Sequence, residues 1–166
     1  MDWKVELNVG IKIKWDYNKQ TLDTHIPNFV PKALKNIQHQ KPAKTQHAPS
    51  KAAPIQYRAK IQTTEHDNSP HISAARIKRI QDLVGTFAWC ARETYPKMAA
   101  TMSSIAPRQS KSTEQLEGEV KHFLDYCTTH PNSGVRFVAS DMILALHSDA
   151  SYNSEPESKI RAAGHY

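Results

Sequence analysis

Residues 73–93 read Ser73-Ala74-Ala75-Arg76-Ile77-Lys78-Arg79-Ile80-Gln81-Asp82-Leu83-Val84-Gly85-Thr86-Phe87-Ala88-Trp89-Cys90-Ala91-Arg92-Glu93. Ile77, Ile80, Val84, Phe87 and Ala91 recur at steps of three or four and share one helical face, with Arg76, Lys78, Arg79, Gln81 and Asp82 mostly off it. The spacing predicts the principal helix of the chain. Gly85 in its interior costs roughly 1 kcal/mol unless a close neighbour needs the space. Pro96 forces a new start, because its ring and missing N–H break a continuing helix. Met98, Met102 and Ile105 then predict a short second helix ending at Pro107. A third is predicted over 113–129, with Leu116, Val120, Phe123, Leu124 and Cys127 inside. Ser112 and Gln115 stand three apart, as a capping box requires. These apolar stripes read as helix-packing core.

Towards the N-terminus the period changes. Trp3, Val5, Leu7, Val9, Ile11, Ile13 and Trp15 alternate with Lys4, Glu6, Asn8, Gly10, Lys12 and Lys14. A period of two predicts a strand over 3–15 with one wet face, and Gly10 marks a bulge or a break in it. Asp16 to Gln20 is turn-like, so Thr21 to Ile26 is expected to return as a hairpin. Phe29, Val30, Ala33, Leu34 and Ile37 have helical spacing, and Pro31 suits a first turn. Beyond the helices, His130 to Gly134 reads as a loop. Val135–Val138 and Met142–His147 read as two strands joined by Ala139-Ser140-Asp141, and Ala162–Tyr166 as the start of a third. A sheet edge left without a partner is unstable alone, which points to a chain cut from a larger protein. The fold class expected is α+β: an N-terminal β-hairpin, a long basic Pro-rich linker, a three-helix cluster and an incomplete C-terminal sheet.

The chain has 166 residues, 39% of them hydrophobic, with 22 Lys and Arg against 16 Asp and Glu. Residues 24–64 hold seven bases (Lys32, Lys35, Lys41, Lys44, Lys51, Arg58, Lys60) and no acid, so this one stretch carries the whole net charge of +6. It also holds five of the ten prolines, which favours extended, solvated backbone. Such a segment suits a polyanion, or is simply a solvated linker that wraps a surface or joins two lobes. No run of residues is long and apolar enough for a membrane span, and the N-terminus lacks a signal-peptide core. Two cysteines, Cys90 and Cys127, build no disulfide scaffold. An intracellular setting, cytoplasmic or nuclear, is the expectation.

Few residues carry chemistry. There is no glycine-rich phosphate loop and no nucleophile elbow. His122, Cys127 and His130 lie close in sequence, but zinc takes about four ligands, and His122 and Cys127 stand on different sides of a helix. Asp149 follows the apolar run Met142-Ile143-Leu144-Ala145-Leu146, and an acid at the end of a core strand is held as rigidly as a divalent-metal ligand must be. On spacing alone it reads better as a residue of the turn that ends the strand.

Several stretches, in order, resemble the pol polyprotein of LTR retrotransposons, copia-type elements most closely. Val9-Gly10-Ile11-Lys12-Ile13, a turn, and Thr21-Leu22 resemble the hairpin after the polymerase palm. Asn28 to Leu34 resembles the helix that comes next. Leu83-Val84-Gly85-Thr86-Phe87 to Arg92, then Tyr95-Pro96-Lys97-Met98, resembles the block "Val-Gly-x-Leu-x-Tyr-x-Ala…Arg-Pro-Asp-Ile". Val120 to Tyr126 resembles "x-Arg-x-Leu-Arg-Tyr-Leu". Ser148-Asp149-Ala150-Ser151-Tyr152 resembles the "Ser-Asp-Ala-Asp-Trp" that opens RNase H, and Arg161 to Tyr166 resembles its second strand.

The resemblance implies a partial reverse transcriptase running into RNase H. Residues 1–38 would be the end of the palm and thumb-like part, 39–72 a basic linker, 73–130 a helical connection region, and 135–166 a truncated, RNase H-like start. Asp149 would be the first catalytic carboxylate of the nuclease and a ligand of Mg²⁺, the family's cofactor. The paired-aspartate strand of the polymerase and the later nuclease carboxylates are absent here, so neither polymerase nor nuclease activity is expected of this chain. The partners implied are an RNA–DNA hybrid or other duplex, held through its phosphates, and the rest of the polyprotein. Lys32, Lys35, Lys41, Lys44, Arg58, Lys60, Arg76, Lys78 and Arg79 are the residues expected to meet those phosphates. The alternative is a small basic nucleic-acid-binding or scaffold protein with no catalytic ancestry. A third reading, a metal-binding adaptor, needs His122, Cys127 and His130 to converge.

Overall fold

The computed structural model describes residues 6–51, 67–141, 143, 147–150 and 162–165. The fold is mixed α+β, with four α-helices and a four-stranded antiparallel sheet among the described residues. The chain divides into two units, residues 1–51 with 69–139 and residues 52–68 with 140–166.

The helices of the first unit lie close to their expected places. They are α1 (Phe29–Asn36), α2 (Ala74–Glu93), α3 (Ala99–Ile105) and α4 (Glu114–Thr129). A 3₁₀ turn over Pro96–Met98 leads into α3, and another over Ala106–Lys111 follows it, so the chain keeps winding past Pro107. Proline is acceptable there because the first turn of a helix needs no donor from it. Of the predicted stripe of α2, Ile80, Val84, Phe87 and Ala91 are buried and Ile77 partly so, and Leu83 and Cys90 are buried beside them. They meet Leu116, Val120, Phe123, Leu124, Tyr126 and Cys127 of α4 together with Met98, Met102 and Ile105. Val30, Ala33 and Leu34 of α1 join the same core. Gly85 has open space around it, so no neighbour accounts for its presence.

The helix cap differs from expectation by one residue. Thr113, not Ser112, is the N-cap of α4, and its hydroxyl accepts from the Leu116 N–H at 3.2 Å. Ser112 is fully buried and donates instead to the Gln109 carbonyl at 2.8 Å. The reason is tertiary. His71 bridges to Thr113, and Ile72 N–H donates to the Ser112 carbonyl at 3.2 Å, which holds Thr113 extended at the entry to the helix. Thr113→Ala is expected to lower stability by about 1 kcal/mol. A urea titration followed by circular dichroism would register this, with Thr113→Ser restoring most of it.

The N-terminal sheet departs further from expectation. The alternating run is not one strand but two, β1 (Leu7–Asn8) and β2 (Ile11–Asp16), paired antiparallel across a two-residue loop. Val9 and Gly10 in the loop both have positive φ, 50° and 81°, the signs a type I′ turn requires. β2 then pairs with β3 (Thr21–His25) as the predicted hairpin. Lys19 N–H donates to Asp16 Oδ1 at 3.0 Å inside its loop.

The fourth strand is β4 (Gly134–Val138). It lies antiparallel on the far side of β3, with Thr24 opposite Val135 and Leu22 opposite Phe137. The sequence reading joined Val135–Val138 to the strand that follows it. In the structure β4 instead takes the edge of β3 that β2 leaves open, and Val135 and Phe137 continue the apolar rows begun by Ile13 and Trp15. Arg136 adds a two-pronged ion pair to Asp23, at 2.6 and 2.8 Å. That guanidinium holds the Asp23 carboxyl below its ordinary range. Gly134 packs closely, since a Cβ there would stand 2.7 Å from the Thr24 carbonyl oxygen.

In the second unit β5 (His147–Ala150) pairs antiparallel with β6 (Ala162–His165), Asp149 lying opposite Ala163. The expected strand over 142–147 falls mostly outside the described residues.

Candidate nucleic-acid interface

Residues 39–51, after α1, form no helix or strand, yet they do not hang free. His39 Nε2 and Asp125 Oδ1 of α4 are 2.8 Å apart, with both side chains largely buried. Gln46 N–H donates to Thr129 Oγ1 at 3.0 Å. His47 Nδ1 stands 3.3 Å from His130 Nε2, and His122 Nε2 reaches the Ala48 carbonyl at 3.1 Å. Residues 39–48 are thereby strapped across α4. Backbone that leaves a helix must satisfy its polar groups elsewhere, and the exposed side of α4 supplies Thr129 and His122 for this.

The strap, α2 and α4 enclose a groove of about 750 Å³. Lys41, Lys44, Arg76, Arg79 and Lys121 line it, together with Glu114, Glu117 and Asp125. Five cations thus face three carboxylates. Arg76 is committed to Glu117 through both prongs of its guanidinium. That pairing holds the Glu117 carboxyl below its ordinary range and raises Arg76. Arg79 Nη2 donates to the Ile37 carbonyl at 2.9 Å, which ties α2 to the end of α1. Lys41, Lys44 and Lys121 are exposed and make no ion pair with another described residue.

Of the residues expected to meet phosphates, the structure therefore gathers Lys41, Lys44, Arg76 and Arg79 in one place. Lys32 and Lys35 are exposed on α1 and do not line the groove. Lys78 is paired with Asp82 at 2.8 Å. Arg58 and Lys60 lie outside the described residues. Lys121 was not singled out from the sequence. Its signal was there: it stands four residues after Glu117 on the polar side of α4, and that spacing puts both on one face.

Asp149 has its backbone on β5, opposite Ala163 of β6. Among the described residues no three His, Cys, Asp or Glu side chains are placed to hold a metal ion. His122, Cys127 and His130 do not converge. His122 turns to the strap, His130 faces His47, and Cys127 is fully buried with its thiol pushed well up by that burial. Cys90 is also buried and its thiol raised, which unsuits either sulfur for nucleophilic work, since the thiolate is the reactive form. No helix among the described residues is long and apolar enough to cross a membrane. No family model, no curated protein and no solved structure matches this chain.

Proposed function

We propose that this chain is a nucleic-acid-holding part of a retroelement pol polyprotein, lying between reverse transcriptase and RNase H, and that it grips duplexes such as an RNA–DNA hybrid through their phosphates. The observation that carries the reading is the convergence of Lys41, Lys44, Arg76, Arg79 and Lys121 on one groove. They come from three separate parts of the sequence, and the three lysines make no ion pair with another described residue. Phosphate contacts of this kind position a duplex without reading its bases. Binding is therefore expected to be independent of sequence and to weaken steeply with salt. The pairing of Asp149 with the 162–165 strand supports the RNase H-like ancestry of the second unit, and Mg²⁺ would belong to the nuclease as a whole.

The test is an anisotropy titration of a labelled RNA–DNA hybrid across a range of salt. Each phosphate contact contributes about 0.9 to the slope of log K against log salt. Lys41→Glu with Lys44→Glu is expected to reduce that slope by about two and to weaken binding at least tenfold. A slope near zero for the wild-type chain would sink the reading.

A further inference from the structure

His47 and His130 lie 83 positions apart, yet their rings meet where the strap reaches the end of α4. His47 Nδ1 and His130 Nε2 are 3.3 Å apart, with ring centroids 5.3 Å apart and planes inclined by 67°. That separation is long for a hydrogen bond, since N–H donors usually stand about 2.9–3.0 Å from their acceptors. It fits another kind of bridge. Zinc holds each imidazole nitrogen at about 2.0–2.1 Å, so two such nitrogens on one tetrahedral ion stand about 3.3–3.4 Å from each other. A right-angled arrangement would bring them to about 2.9 Å.

Both residues are positioned by contacts outside the pair, as metal ligands generally are. His47 sits between two anchors. On one side Gln46 N–H donates to Thr129 Oγ1 at 3.0 Å, and on the other His122 Nε2 reaches the Ala48 carbonyl at 3.1 Å. His130 ends α4, its N–H donating to the Tyr126 carbonyl at 2.9 Å. Its own carbonyl accepts from Tyr95 Oη at 2.5 Å, and its ring lies against that of Tyr126, the centroids 5.0 Å apart. The two nitrogens are therefore already at the spacing an ion requires. His47 is exposed, which leaves an entry path from solvent.

We propose that His47 and His130 form a two-histidine zinc site that clasps the strap to α4. Among the described residues no third His, Cys, Asp or Glu joins them, so water completes the tetrahedron. Such a site holds zinc less tightly than a closed site of four protein ligands, and the ion exchanges with solvent. Imidazole suits zinc, whereas magnesium takes oxygen ligands, so the site is distinct from the magnesium chemistry read into Asp149. Bound zinc adds a coordinate link between the strap and the helix, and Lys41 and Lys44 travel with the strap. The site stands or falls independently of what the groove holds.

The test titrates the untagged full chain with zinc chloride by isothermal calorimetry, in a buffer that does not bind metals. The wild-type chain is expected to saturate at a single zinc ion. His47→Ala and His130→Ala should each weaken binding at least tenfold. His25→Ala and His71→Ala, which alter histidines on β3 and beside Thr113, should change it less than twofold. Magnesium chloride should produce no saturable heat. Zinc should also slow hydrogen exchange at Gln46 N–H, whose bond to Thr129 reports on the strap, and His47→Ala should abolish that slowing. Circular dichroism checks that the variants fold, and His130→Gln, which keeps a polar side chain at the helix end, provides a second route to the same loss. Three results would overturn the proposal: no saturable zinc binding by the wild-type chain, wild-type affinity in both His47→Ala and His130→Ala, or equal losses in His25→Ala and His71→Ala, which would mean that scattered histidines bind the metal.

Discussion

Phe123→Ala is expected to destabilise the helical core by about 3–5 kcal/mol. Phe123 is wholly buried on α4 and meets Phe87 of α2 edge to face, the ring centroids 5.3 Å apart and the planes at 88°. Phe87 in turn meets Phe29, which enters α1, at 6.3 Å. Three helices therefore converge on one aromatic cluster. Removing the central ring leaves a cavity between helices that cannot close freely, since each is fixed by other contacts. It also forfeits the edge-to-face interaction, about 0.5–1.5 kcal/mol beyond the area buried. Phe123→Leu, which keeps most of the volume, should cost much less. Urea unfolding followed at a helical wavelength measures both. A loss below 1 kcal/mol for the alanine variant would mean that α2 and α4 do not pack through this pair.

The second large effect is expected at Gly134. Adding a single methyl in Gly134→Ala should cost about 1–3 kcal/mol, although the change removes a flexible residue and would stabilise many strands. The methyl would sit 2.7 Å from the Thr24 carbonyl oxygen and 3.3 Å from His25 Cβ. The first of these atoms is backbone and cannot swing aside, so β4 must shift away from β3. The loss should concentrate in that pairing. Amide exchange of Val135 and Phe137 should therefore accelerate far more than that of the α2 and α4 amides. Unchanged exchange in β4 would show that the two strands do not approach as closely as the register requires.

The readings that held share a physical basis. The bounds of α2 and α4 were legible because a helix is bonded within itself and its buried stripe repeats every 3.6 residues. Ile80, Val84, Phe87 and Ala91 therefore announce their burial from local spacing alone. The β2–β3 hairpin was legible for a similar reason, its turn lying between two short alternating runs. Gly10 marked the alternating stretch for a bulge or a break, but not for a reversal of the chain. Alternation continues unbroken through the turn, and only the positive φ of both residues makes the chain reverse. Val9 is an unexpected residue for that conformation, being β-branched.

By itself, then, the sequence determined the α+β class, the helical core and the concentration of basic residues between Lys32 and Lys60. Each follows from composition or from near-neighbour periodicity. Tertiary structure alone decided that Arg136 meets Asp23 across 113 positions, that β4 completes the N-terminal sheet, and that Lys121 joins Lys41 and Lys44 beside one groove. It also decided that residues 39–48 are strapped to α4 through His39, His47 and His122. Such pairings depend on which surfaces remain unsatisfied once the local elements have formed. A free strand edge or an open helix face belongs to no single stretch of residues, so no single stretch can reveal it.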